Sequence, residues 1–353
     1  MRWPRTSGGS RSGGLKASAY LLLLLGAAFA TPTAALRVET LTSVGSLPPH
    51  IVGEFEDPVQ FQRSDSGTYY VLDRRAQRVY TVDAARKAVT ATVKIGQESG
   101  LVLQPFGFDL GPGGSFVVGD VPRGAQQRVQ TFTGHGVWQT GFFLPGEPAA
   151  RVEFGNLVMN GIGSLRFAGE RLLISHPESG GLFTEYSTRG YAQRSIGTLR
   201  KTGFEQERDL HIAMNAGLAL PDPTGGFYFV FVTGTPMFRK YDADGTLRFE
   251  RYIQGPEIDT LVSTQPTRWP RRRVNEREVP LVRPLIRTAA VDRTGQLWIS
   301  LATPLTYVFD AQGDKVRTVQ FVGAGPLSPT SLFFTRENRL LVTPGCYEFD
   351  PEP

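Results

Sequence analysis

A tight turn followed by a short apolar strand recurs six times along this chain, and that repetition restricts the possible folds more than any other feature. The fullest copy spans residues 287–321. It reads as a strand at 288–291, the turn Asp292-Arg293-Thr294-Gly295 and a strand at 297–301. A bend containing Pro304 follows, then a strand at 307–309, the turn Asp310-Ala311-Gln312-Gly313 and a strand at 316–321. Glycine near the end of each turn supplies the positive φ that a hairpin requires. The other copies are anchored on turns ending at Gly67, Gly114, Gly169, Gly225 and Asn338.

The spacing of these anchors is uneven, from 43 residues between Gly295 and Asn338 to 70 between Gly225 and Gly295. A propeller blade takes about 40–50 residues, so the longer intervals carry insertions at 146–161, 199–215 and 255–287. In each unit the strand after the bend alternates apolar with polar residues, as in Arg78-Val79-Tyr80-Thr81-Val82, which suits a strand covered on one face. The last unit lacks an outer strand, whereas residues 36–42 form an orphan strand ahead of the first unit. Pairing the two closes the ring and removes exposed edges. The chain is therefore expected to be all-β, a six-bladed β-propeller over 36–353 closed by an N-terminal strand completing the last blade. Gly (40) and Pro (25) suit such a turn-rich fold.

The run from Pro105-Phe106-Gly107-Phe108-Asp109-Leu110 through Gly119-Asp120 to Arg128-Val129-Gln130 resembles an NHL repeat, as does Asp73 followed by Arg78-Val79-Tyr80. The resemblance implies a six-bladed β-propeller over about 300 residues. Folds of this kind host binding proteins, lactonases and lyases alike, so function has to be argued from a site.

Arg2, Arg5, Arg11 and Lys16 precede an apolar run at 17–30, with small-residue exits at Ala28-Phe29-Ala30 and Thr33-Ala34-Ala35. This order describes a secretory signal peptide over 1–30, with cleavage as late as 35. The competing reading is an uncleaved anchor, but the run is shorter than the roughly 20 residues a span needs. The expected product is secreted or periplasmic, with no transmembrane span after cleavage. Removing those four basic residues takes the formal net charge from +5 to +1, which removes the main support for a nucleic-acid partner. Cys346, the sole cysteine, forms no internal disulfide and reads as a small buried hydrophobe.

In a propeller the turns between first and second and between third and fourth strands share one face. The second-to-third bends and the blade connections share the other, and all three insertions fall there. Long insertions of this kind are either solvated loops or functional. The 255–287 insertion holds Pro266, Pro270, Pro280 and Pro284, expected to prevent regular structure. It also places Arg268, Arg271, Arg272 and Arg273 around Trp269, residue types favoured at contact surfaces. At the channel mouth on the same face, the residues leading into each innermost strand are Gln104, Asn160, Asn215, Arg287 and Thr330. These either cap strands or bind a ligand. His176 and His211, with Asp209 or Asp120, are the remaining candidates there, while His135 falls on the opposite face. That split leaves no three-histidine zinc set. Asp242-Ala243-Asp244-Gly245 starts like a calcium loop but sits where every unit has a hairpin.

Two functions are consistent with these residues. One is a binding or scaffolding module that receives a protein, peptide or polymer on the long-loop face, with no cofactor and no metal. The other is a metal-dependent hydrolase or lyase, lactonase-like, with a divalent cation at the channel mouth. No catalytic residue is assigned for either.

Overall fold

The computed structural model describes residues 37–124, 126–146, 152–154, 157–159, 163–274 and 277–352; the expected signal segment lies outside them. Six sheets follow one another along the chain, each built in sequence order from an inner to an outer strand. Blade one runs Pro58–Arg63, Tyr69–Asp73, Arg78–Val82 and Val89–Val93. Blade two runs Gly107–Leu110, Phe116–Arg123, Gln126–Phe132 and Trp138–Phe143. Blade three is Leu165–Ala168, Arg171–Ile174, Gly181–Ser187 and Ala192–Thr198. Blade four is Gly217–Pro221, Phe227–Phe231, Met237–Tyr241 and Leu247–Tyr252. Blade five has Ile286–Val291, Leu297–Leu301, Thr306–Phe309 and Lys315–Val322. Blade six has Ser331–Phe334, Leu340–Thr343 and Tyr347–Phe349.

The turns form for the reason read from the sequence. Gly295 sits at φ 88° and Gly67 at 89°, while Asn338 takes the same role at 61°. Asp292 Oδ1 accepts hydrogen bonds from the Thr294 and Gln296 amides at 2.9 Å, and its Oδ2 accepts one from Trp298 Nε1 at 3.0 Å, tying turn to strand. Asp242–Gly245 is likewise a hairpin turn, with Asp242 N donating to Thr246 O and Gly245 N to Asp242 O.

Burial shows what holds the blades together. Among the described residues there are six apolar clusters, one at each junction between successive blades. Phe108 and Phe116 meet Tyr70 between blades one and two, and Phe183 meets Phe227 between three and four. The sixth cluster joins Leu341 and Cys346 of blade six to Phe61 and Tyr69 of blade one, and the innermost strands touch in a complete ring. Each blade is thus sandwiched between two others, so Phe227–Phe231 is buried at every position.

This corrects the expectation that third strands are covered on one face only. In blades two to five most of their polar residues are buried, and several are paired: Lys240 is 5% exposed and bound to Asp222, and Thr306 Oγ1 lies 2.6 Å from Ser300 Oγ. Alternation there marks internal pairing, and only outer strands such as Trp138–Phe143 reach solvent along their length.

An N-terminal strand completes the last blade, as expected, but through different residues. Gly45–Ser46 pairs antiparallel with Tyr347–Glu348, flanked by bonds from Val44 N to Glu348 O and from Leu47 N to Cys346 O. The orphan strand Val38–Thr42 instead lies parallel to Lys315–Val322 as a fifth strand of blade five, where Glu39 holds Arg317 through two bonds of 2.9 and 2.7 Å. The closing residues are two small ones without apolar alternation, so pattern alone points to their more strand-like neighbours.

Cys346 is a buried free cysteine, and burial beside the Asp73 charge pushes its thiol up to about 12. It should resist a disulfide reagent such as DTNB in native buffer and react fully in guanidinium. Labelling of the native protein at the speed of free cysteine would contradict its place between blades six and one.

Candidate functional site

The described residues of the 255–287 insertion form a helix and two paired strands, which corrects the expectation that its prolines prevent regular structure. Pro256–Ser263 is a helix with Pro256 at its first turn, where a missing N–H is tolerated. Ile258 is fully buried, and Glu257 accepts a hydrogen bond from Tyr307 OH in blade five. Arg271–Val274 then pairs with Arg277–Pro280, with Arg273 opposite Glu278. Pro266 and Pro270 lie between helix and hairpin, Pro280 ends a strand and Pro284 follows it, so none interrupts an element.

This hairpin is fastened to the neighbouring insertion. Arg277 grips Asp209 at 2.9 and 2.7 Å, and Arg271 pairs with Glu207, both at the start of the helix Arg208–Met214. A two-point guanidinium–carboxylate grip fixes orientation as well as distance. Of the arginines singled out in the sequence, Arg271 is thus engaged within the chain. Arg268, Arg272 and Arg273 stand exposed with Trp269 half-buried beside them.

The other candidates on this face are drawn into the fold. Asn215 is fully buried: its Oδ1 accepts from Arg200 N at 2.8 Å, and its Nδ2 donates to His211 O at 3.0 Å. His211 Nδ1 lies 2.8 Å from Thr202 Oγ1. Arg287 is half-buried and donates to Ala302 O at 3.4 Å. Thr330 pairs with Thr343 at 2.9 Å, and Gln104 is exposed. Asn160 lies outside the described residues.

His176 is 1% exposed, and burial followed by the Arg208 charge depresses its ring to about 4. Glu178 lies 3.5 Å from its Nε2. The carboxylates considered beside the histidines have other partners. Asp120 holds Arg128 at 2.9 and 2.7 Å, and Asp209 holds Arg277. Among the described residues, no group of three or more His, Cys, Asp or Glu side chains is arranged to hold a metal.

The largest surprise lies on the opposite, short-turn face. A cavity of about 530 Å³ opens at the centre of the ring. Asp109, Leu220, Ala290 and Phe333 line it, and each precedes the last residue of its innermost strand; Gln62 holds that position in blade one, buried behind Asp109 and outside the lining. In blade three, where the hairpin is tighter, Phe167 pairs with Leu172 as Phe334 pairs with Leu340, so Arg166 takes the position.

The ring is divided. Blades one to three give a polar half, in which Gln62 Nε2 and Arg166 Nη1 donate to Asp109 Oδ1 at 3.1 and 3.0 Å, and Phe167 N donates to Oδ2 at 2.8 Å. Burial pushes the Asp109 carboxyl upward, and Arg166 and these donors pull against it. Blades four to six give an apolar half. Sequence reasoning passed over this mouth because its turns are short. The signal was nevertheless present in blades two and three, where Asp109 and Arg166 interrupt otherwise apolar first strands at equivalent positions.

No protein-family profile and no curated protein matches the chain. Among solved structures, a streptogramin B lyase superposes with a TM-score of 0.50 at 9% identity, over 83% of this chain and 92% of that one. Virginiamycin B lyase from Staphylococcus aureus gives 0.48 at 10% identity, over 81% and 77%. A protein of unknown function from Bacteroides caccae gives 0.43 at 9%, over 80% of each chain. At such identities likeness concerns fold and not chemistry. The sheet order, the closed ring of inner strands and the superposition together make this chain a six-bladed β-propeller.

Proposed function

We propose that the protein is a secreted or periplasmic binding propeller, built from NHL-like blades, whose long-loop face captures a partner carrying an acidic stretch. One observation carries this reading. The two insertions are fastened together by Arg277–Asp209 and Arg271–Glu207, so Arg268, Trp269, Arg272 and Arg273 belong to an ordered basic platform. A platform already ordered loses little entropy on binding. Guanidinium groups recognise carboxylate or sulfate in pairs, and the indole adds a flat apolar anchor.

The test is capture from the extracellular or periplasmic fraction by the immobilised protein. Arg and Trp anchors are worth about 2 kcal/mol or more each. Replacing Arg268, Trp269, Arg272 and Arg273 together by alanine should therefore reduce capture by well over tenfold while leaving the melting temperature in place. Undiminished capture would reject the platform. Elemental analysis of the same preparation addresses the competing reading: stoichiometric calcium or zinc would favour a metal-dependent hydrolase or lyase instead.

A further inference from the structure

The central cavity on the short-turn face has a charge balance of its own. Its buried carboxylates are already filled. Asp109 accepts three hydrogen bonds, and Asp222 holds Lys240 and accepts from Thr224 N and Oγ1 at 2.8 Å. Glu185, 3% exposed, is shared by two guanidinium groups, Arg171 and Arg194. Arg293 is exposed, and its guanidinium donates to carbonyl oxygens, to Thr335 O at 3.0 Å and Phe334 O at 3.5 Å. Carbonyls position a guanidinium without neutralising it. The mouth therefore holds more positive than negative charge, with its acids buried and Arg171, Arg194 and Arg293 reaching solvent.

The same cavity is lined by the apolar residues Leu220, Ala290 and Phe333 of blades four to six and by Phe227. A bare inorganic anion would leave those surfaces unused, and a cation would find no open carboxylate. The volume falls within the roughly 300–1,000 Å³ typical of small-molecule sites, which suits a compact ligand rather than a polymer.

We propose that this mouth is a second binding site, for a small organic carboxylate with an apolar or aromatic body. The carboxylate lies toward Arg293 and Arg171, and the body packs on Leu220, Ala290 and Phe333. The site is independent of the long-loop platform and takes a different class of ligand.

Isothermal titration with 4-phenylbutyrate and its uncharged amide tests this. The acid should bind saturably and the amide about tenfold or more weakly, the usual difference when a charge-assisted hydrogen bond is lost. Arg293→Gln and Arg171→Gln should each weaken the acid severalfold. Arg171 is half-exposed and Glu185 keeps Arg194, so that variant should fold even if Arg293→Gln does not. The Arg272→Ala variant on the opposite face should bind the acid like the parent. Equal binding of acid and amide, binding of neither, or parent-like affinity in a folded Arg171→Gln variant would overturn the proposal.

Discussion

Replacing Arg128 with alanine should cost about 3–5 kcal/mol of stability, the usual penalty for leaving one member of a buried ion pair without the other. Asp120 is fully buried and the Arg128 side chain is 7% exposed, so water cannot take over. Arg128 also donates to Gln97 O at 2.8 Å and Leu101 O at 3.0 Å, while Asp120 accepts from Leu103 N at 2.9 Å. The pair thereby fastens the connection between blades one and two to the interior of blade two. Urea unfolding of Arg128→Ala should show a large drop in midpoint. The Asp120→Asn, Arg128→Ala double variant should recover part of it, since no carboxylate is then stranded. A loss below about 1 kcal/mol, the value of an exposed pair, would mean that the pair does not hold this junction.

The second large effect is an acid sensitivity centred on His176. Its ordinary value is 6.5 and the folded value about 4. Between these two pH values the unfolded chain takes up a proton that the native protein refuses, so stability falls as pH drops from 6.5 toward 4. The full loss is about 3 kcal/mol at 1.36 kcal/mol per pH unit. Above pH 6.5 His176 contributes no slope. Urea midpoints measured from pH 7.5 to 4 for the parent and for His176→Gln should diverge in this window, with the parent the more acid-sensitive. Parallel curves would show that the imidazole is charged or solvated in the native state.

The parts of this molecule written locally in the sequence were legible, and the parts made by distant residues were not. Turns such as Asp292–Gly295 depend on a few consecutive residues, and their repetition gives the blade count. Cys346 was readable because a sole cysteine has no partner for an internal disulfide and behaves as a small buried hydrophobe. The order in the 255–287 insertion depends on Arg277 meeting Asp209 across 68 residues, a pairing with no local trace. Four prolines suggested loop, yet each falls beside an element or at its end. Asn215 was legible as a residue leading into an innermost strand, but an amide that caps Arg200 looks the same in sequence as one that faces a ligand. Lys240, a polar residue alternating with apolar ones in a third strand, read as marking a solvent face. Blade stacking buries both faces of that strand and turns such residues into internal partners.

The short-turn mouth shows the same limit. Loop length drew attention to one face, whereas the cavity on the other is made by first-strand residues that become neighbours only when the ring closes. The half-polar, half-apolar division emerges once Gln62, Asp109 and Arg166 are set against Leu220, Ala290 and Phe333 at equivalent positions.

The most direct measurement of the central claim is hydrogen–deuterium exchange of the protein with and without its captured partner. Slowed exchange is expected in the hairpin 268–280 and in the helix Arg208–Met214 fastened to it, with the hairpin turns at 64–68 and 292–296 unchanged. Slowing confined to those turns, with residues 268–280 exchanging as in the free protein, would contradict the assignment of partner capture to the long-loop face.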